Sequence, residues 1–170
     1  MFSKKILFLD TVHPCLQQEL EALGYQCDLN TKSPRSEIEK IIAPYSGVVV
    51  RSRITMDKKI LSLAKNLKFI ARSGSGMESI DVDFAKKKGI LCINSPEGNR
   101  DAVAEQALGM LLCLFNNICR ANEEVRKGKW NREPNRGVEL KGKTIGIIGY
   151  GNTGSAFAGL LNGFEIKILV

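Results

Sequence analysis

Gly142-Lys143-Thr144-Ile145-Gly146-Ile147-Ile148-Gly149-Tyr150-Gly151-Asn152-Thr153-Gly154 is the stretch from which the rest of the chain is read. A short apolar strand over 144–148 runs directly into Gly149-x-Gly151-x-x-Gly154, and the Ala/Leu-rich segment 155–161 reads as a helix. A second strand over 165–170 completes a βαβ unit. This is the layout of a dinucleotide-binding turn. Gly149 permits the sharp turn, Gly151 lets the backbone approach a pyrophosphate, and Gly154 lets the helix pack close to the strand. The unpaired N–H groups and positive dipole end of that helix then hold phosphate. Glycine-rich turns also occur without a ligand, but the strand before and the helix after are the context that the motif requires.

The acidic residue that grips the ribose hydroxyls belongs about 20 residues past the first glycine, at the end of the second strand. The sequence reaches Val170 at about that point, and Glu165 stands at the wrong end of the strand. The expectation is an N-terminal part of a larger protein, with the motif interrupted.

Composition is that of a globular protein: 170 residues, 44% hydrophobic and 25% charged, close to the average for such chains. The five cysteines, Cys15, Cys27, Cys92, Cys113 and Cys119, form no C-x-x-C pair and have no neighbouring histidine. They read as reduced thiols of a cytoplasmic protein, with no disulfide framework and no metal site. The net charge of +7 raises nucleic acid as a partner. The basic residues are scattered, however, with no stripe and no interleaved aromatics, so solvated helix ends are the better reading. Asp10 cuts the first apolar run too early for a signal peptide.

Upstream of the glycine turn, strands are expected over 6–9, 25–29, 47–50, 67–71 and 90–93. Helices are expected from His13-Pro14 to Gly24 and over 36–42, 57–65 and 82–88. Alternation at this spacing implies a parallel, doubly wound α/β sheet of flavodoxin-like type. Ligands of such sheets collect at the carboxyl ends of the strands. Here those ends are Asp10-Thr11, Arg51-Ser52-Arg53, Arg72-Ser73-Gly74-Ser75-Gly76 and Asn94-Ser95-Pro96. One long helix is expected over 99–126, capped by Asn99 or Asp101. Its apolar middle, 107–115, falls well short of the roughly 20 residues a membrane span needs, so it reads as a core or dimer helix. Trp130, in the polar loop that follows, reads as a packing anchor. The domain boundary is placed at Gly98-Asn99: 1–98, then 99–170 as an incomplete Rossmann nucleotide-binding domain.

The motifs in this order resemble the D-isomer-specific 2-hydroxyacid dehydrogenases along the whole chain. Arg72-Ser73-Gly74-Ser75-Gly76-Met77-Glu78-Ser79-Ile80-Asp81 is similar to that family's R-x-G-x-G-x-x-N-I-D loop, with Ser79 replacing the usual Asn. Asn94 to Asn99 with Ala102-Val103-Ala104-Glu105 resembles its crossing segment, and Glu139 to Thr144 with the glycine turn its most recognisable stretch. Arg51-Ser52-Arg53 resembles the D-3-phosphoglycerate dehydrogenases in particular.

The resemblance implies that the Gly74-Ser75-Gly76 amides meet the substrate carboxylate, with Ser75 also touching the cofactor and Asn99 on the substrate side. It implies that Asn152 and Thr153 lie over the pyrophosphate of NAD, together with Gly149, Gly151 and Gly154. It further implies a small anionic hydroxy or keto acid as substrate, and a homodimer formed through the nucleotide domain. The family's catalytic Arg, Glu and His lie downstream of this turn, so no catalytic residue is assigned. His13, the single histidine, matches none of them. Arg51 and Arg53, i and i+2 on an extended chain, are expected to face one anion from the same side. Two other readings remain: a nicotinamide-sensing binding module like the C-terminal-binding-protein corepressors, and a truncated chain that only dimerises.

Overall fold

The computed structural model describes residues 4–170. The chain divides into two compact units, one ending at Pro96 and the other covering Glu97–Val170.

The first unit is built on β1 (Lys5–Phe8), β2 (Gln26–Leu29), β3 (Gly47–Val50), β4 (Phe69–Arg72) and β5 (Leu91–Asn94). They form one parallel sheet in the order β2-β1-β3-β4-β5, the flavodoxin-like order. β3 is the centre, and all four of its residues are buried. A Gly-Val-Val-Val run suits such a place because β-branched side chains pack on both covered faces of a parallel strand. Gly47 has its own reason, since a Cβ there would run into the Phe69 ring.

The period of two sorts the strand residues between two cores. On one face Leu7, Val48, Val50 and Ile70 meet Ile38 and Ile42 of α2 (Arg35–Ile41) and its end, Ile60 and Leu61 of α3 (Lys58–Leu63), and Ala85 of α4 (Val82–Lys87). On the other, Ile6, Phe8 and Val49 meet Leu16 and Leu20 of α1 (Pro14–Ala22). That second face is less covered toward the β5 edge, where Leu91 and Ile93 are exposed.

Helix starts follow local chemistry. Asp57 and Asp81 accept the Ile60 and Phe84 amides, capping α3 and α4. Pro14 opens α1, with His13 as its cap: the His13 Nδ1 accepts the Cys15 amide at 3.3 Å. This gives the single histidine a structural task.

In the second unit, the long helix expected over 99–126 is two helices. α5 (Arg100–Phe115) ends at Asn116, and α6 (Ile118–Arg126) departs at 62°. The cause is Asn117, held at φ 52 in the left-handed region that Asn tolerates better than most residues. No single helix among the described residues is long and apolar enough to cross a membrane; only the bent pair passes on length and composition.

The loop after α6 is tied back to both helices. Val138 donates to the Phe115 carbonyl at 2.9 Å, and Arg120 donates to Asn135 and to the Pro134 carbonyl. Trp130 is 81% exposed and lines a small pocket with Ala121 and Val125, so it is not the buried packing anchor expected. β6 (Thr144–Gly146) and β7 (Lys167–Leu169) pair in parallel around α7 (Asn152–Leu161). β6 is shorter than expected, for Ile148 has left the pair and is fully exposed. No disulfide joins the cysteines; burial raises the Cys27 and Cys92 thiol pKa values, for Cys27 with help from Glu21 and Asp28.

Candidate anion sites in the two units

The carboxyl edge of the first sheet gathers the predicted polar residues, though not in the expected arrangement. β3 stops at Val50, and residues 51–54 bend. The same-side argument for Arg51 and Arg53 needs an extended chain, so it ends with the strand. Arg53 turns toward its own sheet: Nε donates to the Leu9 carbonyl at 2.8 Å, Nη1 to Ser33 at 2.6 Å and Nη2 to Asn30 at 2.7 Å. All three nitrogens are committed to main-chain oxygens, which replaces the expected pair of anion-facing guanidiniums. Arg51 differs. Its amide donates to Asp10 Oδ2 at 2.6 Å, while its side chain is exposed and has no hydrogen bond or ion pair among the described residues. Ser52 beside it is exposed as well.

The glycine loop after β4 is braced from β5. Ser95 donates its amide to the Gly74 carbonyl at 3.0 Å, and Asn94 Nδ2 donates to the Ser75 carbonyl at 2.6 Å. Gly74 adopts φ 146, and a side chain there would run into the Arg72 guanidinium. Its amide is used inside the loop, donating to the Arg72 carbonyl at 2.9 Å, so it is not among the amides offered outward.

Two neighbours were not singled out as site residues from sequence. Arg72 lies along the loop, donating Nη1 to the Ser73 carbonyl at 3.3 Å, and its buried Nε has no hydrogen-bond partner among the described residues. The Glu78 carboxylate stands against Gly76, where any side chain would collide with it. An arginine in the R-x-G-x-G frame was a legible signal; the fold-back of Glu78 was not. The loop therefore carries one cation and one carboxylate, and the free charge of Arg51 tips the edge toward anions.

In the second unit each glycine of the turn has a separate geometric reason. Gly149 sits at φ 93. At Gly154 a Cβ would strike the Gly149 carbonyl oxygen. At Gly151, the residue capping α7, there is nothing within 4 Å of where a Cβ would stand. Backbone is thus exposed to open space at the start of a helix. No side chain caps α7, so its first amides are left for a ligand. Ser155 turns its hydroxyl back to the Gly151 carbonyl at 2.8 Å.

A small cleft beside this turn is lined by Arg100, Asp101, Asn152, Ser155 and Ala156, so that the starts of α5 and α7 meet there. Two positive helix ends favour a phosphate; the Arg100–Asp101 pair at 3.2 Å offsets part of the added charge. The chemistry of this cleft suits an anionic group such as a phosphate. A larger cavity, about 770 Å³, is elsewhere: a mostly apolar groove between α5, α6, β6 and α7 lined by Met110, Leu114, Ile145 and Phe157, with Arg120 as its one charged lining residue.

Comparison with known proteins identifies the family. Residues 6–159 match the family described as D-isomer specific 2-hydroxyacid dehydrogenase, catalytic domain. A D-3-phosphoglycerate dehydrogenase from Archaeoglobus fulgidus is 36% identical over 146 residues, covering 86% of this chain and 28% of that protein. A hydroxypyruvate reductase from Thermotoga maritima is 42% identical over 135 residues, covering 79% and 44%. Among solved structures, an acyclic imino acid reductase in complex with NADPH and D-Arg superposes with a TM-score of 0.85 at 25% identity, covering 96% of this chain and 54% of that one. The chain thus spans less than half the length of the two sequence relatives. The chain belongs to the D-isomer specific 2-hydroxyacid dehydrogenases.

Proposed function

We propose that this chain supplies the substrate-side domain and the first part of the nucleotide domain of an NAD-dependent D-3-phosphoglycerate dehydrogenase, a cytoplasmic enzyme of serine biosynthesis. The observation that carries this reading is the unpartnered Arg51 guanidinium at the sheet edge that also carries the Gly74-Ser75-Gly76 loop. A phosphorylated hydroxy acid has two anionic ends, and a planar guanidinium suits phosphate through paired hydrogen bonds. Ser52, Ser75 and Gly76 complete the substrate side in this reading. Gly149, Gly151, Asn152, Thr153 and Gly154 hold the pyrophosphate of NAD, whose nicotinamide exchanges hydride with carbon 2 of the acid. The family resemblance puts the proton-transferring His and Glu and the orienting Arg after the glycine turn, and no residue of 1–170 is assigned these roles. The 1–170 chain alone should therefore show no turnover. The exposed Met110, Leu114 and Trp130 support a homodimer made through the nucleotide domain.

The test is kinetic, in a protein carrying this sequence together with those further regions. Arg51→Ala should weaken 3-phosphoglycerate by about 1.5–3 kcal/mol, the value of a charge-assisted hydrogen bond. Hydroxypyruvate, which has no phosphate, should suffer less. Equal losses for both would mean that Arg51 reads no phosphate.

A further inference from the structure

The three hydrogen bonds of Arg53 assign it a role that its neighbour Arg51 does not share. In the order β2-β1-β3, the chain crosses from one side of β1 to the other, and the carboxyl ends of β1 and β3 part to leave a crevice. In this protein the crevice is filled from within. Arg53 reaches across it to the Leu9 carbonyl just past β1, to the Asn30 carbonyl just past β2, and to Ser33 in the loop beyond. These carbonyls stand where the ladder has run out, and a buried strand end needs such partners. Asp10, the residue after Leu9, holds the Arg51 amide. The turn after β3 is therefore pinned at Arg51 through its main chain and at Arg53 through its side chain.

We infer that Arg53 is a positioning residue: by tying the turn after β3 to the ends of β1 and β2, it holds the Arg51 backbone against Asp10 and so aims the Arg51 guanidinium. The role needs the fork and not merely the charge. Three nitrogens in one plane reach acceptors from three separate segments, whereas the ammonium of lysine puts every donor on one atom. The inference rests on the proposed anion-binding role of Arg51, and its test keeps the two apart.

The 1–170 chain, labelled with ¹⁵N, is compared with Arg51→Ala, Arg53→Ala, Arg53→Lys and the Arg51→Ala/Arg53→Ala double variant. The first readout is 3-phosphoglycerate affinity from amide shifts. Arg53→Lys should lose about as much affinity as Arg53→Ala, roughly tenfold for one charge-assisted contact misplaced. The double variant should bind no more weakly than Arg51→Ala alone, because the coupling of residues acting through one another is non-additive. Wild-type affinity in Arg53→Lys, or additive losses in the double variant, would overturn the inference and return Arg53 to direct contact.

The second readout needs no ligand. Hydrogen exchange at the Arg51 amide should quicken about tenfold or more in both Arg53 variants while Val49, inside β3, keeps its protection. Unchanged exchange at Arg51 overturns the inference. If the wild-type chain binds no 3-phosphoglycerate, the substrate reading fails while the exchange experiment still decides the brace. Should Arg53→Ala fail to fold, Arg53→Lys carries the exchange readout alone, with faster Arg51 exchange expected and unchanged exchange contradicting.

Discussion

The two units solve the same problem, a glycine-bearing turn at the end of a parallel strand, on very different foundations. The first has five paired strands, and all but four of the residues in the buried apolar core belong to it. The second has two strands of three residues, and its share of that core is Ala104, Leu140, Ala158 and Leu161. Met110, Leu114, Ile118, Val125, Ile148 and Val170 are left exposed there. Two-stranded pairs are marginal alone, so the second unit depends on α5 against α7. A site on the first unit is thus held by a rigid sheet, whereas the glycine turn rests on a thin support.

The largest expected effect comes from attacking the stronger side. Ile70→Ala or Leu61→Ala removes a fully buried side chain and should cost about 2–5 kcal/mol in denaturant unfolding of the first unit. Met110→Ala, at 65% exposure, should change little. Similar losses for both would erase the contrast between the units.

Next come the glycines of α7. Gly154→Ala pushes a methyl group into the Gly149 carbonyl; it should destabilise by about 1–3 kcal/mol and abolish NAD binding measured by calorimetry. Gly159→Ala, in the same helix but with open space around it, should leave NAD binding alone and stabilise by up to about 1 kcal/mol. Loss of binding in both would mean that general weakness of the unit, not the turn geometry, governs the cofactor.

Smaller still are the pH effects, which belong to the first unit. Arg35 holds Asp57 at 2.7 Å and Glu39 at 2.9 Å, and Lys59 holds Glu39 at 2.7 Å, linking α2 to α3. Hydrogen bonds from these cations lower both carboxyl pKa values. A carboxyl lowered in the folded state binds protons more readily when unfolded. Its contribution is therefore present above the ordinary carboxylate range, near pH 4, and is lost as the pH falls through the folded value. At the other extreme, burial and the hydrogen bond to Asp28 raise the Tyr45 phenol to about 12. That contribution is complete below the unfolded phenol value of about 10 and is lost as the pH climbs to the folded one. Arg35→Gln should flatten the acid limb of a melting-temperature profile, and Tyr45→Phe the alkaline limb. An unaltered profile in either would show that the named groups do not set it.

The sequence was most legible where one local signal had one physical meaning. Short apolar runs located the strands of the first sheet, most plainly β1 and β3, whose apolar residues are buried on both faces. Pro14 and Asp57 marked helix starts, the one through its fixed backbone angle and the other by accepting the Ile60 amide. The glycine turn was readable because Gly149 takes a left-handed backbone angle and Gly154 has no room for a Cβ, while Gly151 leaves open space at the start of α7. What failed depended on the chain's position in space. Asn117 gave no warning of a break inside an apolar helix, as a left-handed Asn costs little and leaves no pattern. The alternation placing Arg51 and Arg53 together was sound for a strand, but β3 stops at Val50, before either arginine. Nothing local reveals that Arg53 finds its acceptors at Leu9, Asn30 and Ser33, which lie some distance back in the chain.

The central claim is that each unit carries its own anion site, one for the phosphorylated acid and one for the dinucleotide. Amide shifts of the ¹⁵N-labelled 1–170 chain, titrated separately with 3-phosphoglycerate and with NAD, test it most directly. The account predicts that 3-phosphoglycerate moves Arg51, Ser52, Ser75 and Gly76, whereas NAD chiefly moves Gly149, Gly151, Asn152, Thr153 and Gly154. If 3-phosphoglycerate moves the glycine turn and leaves Arg51 and the Gly76 loop in place, the account is contradicted.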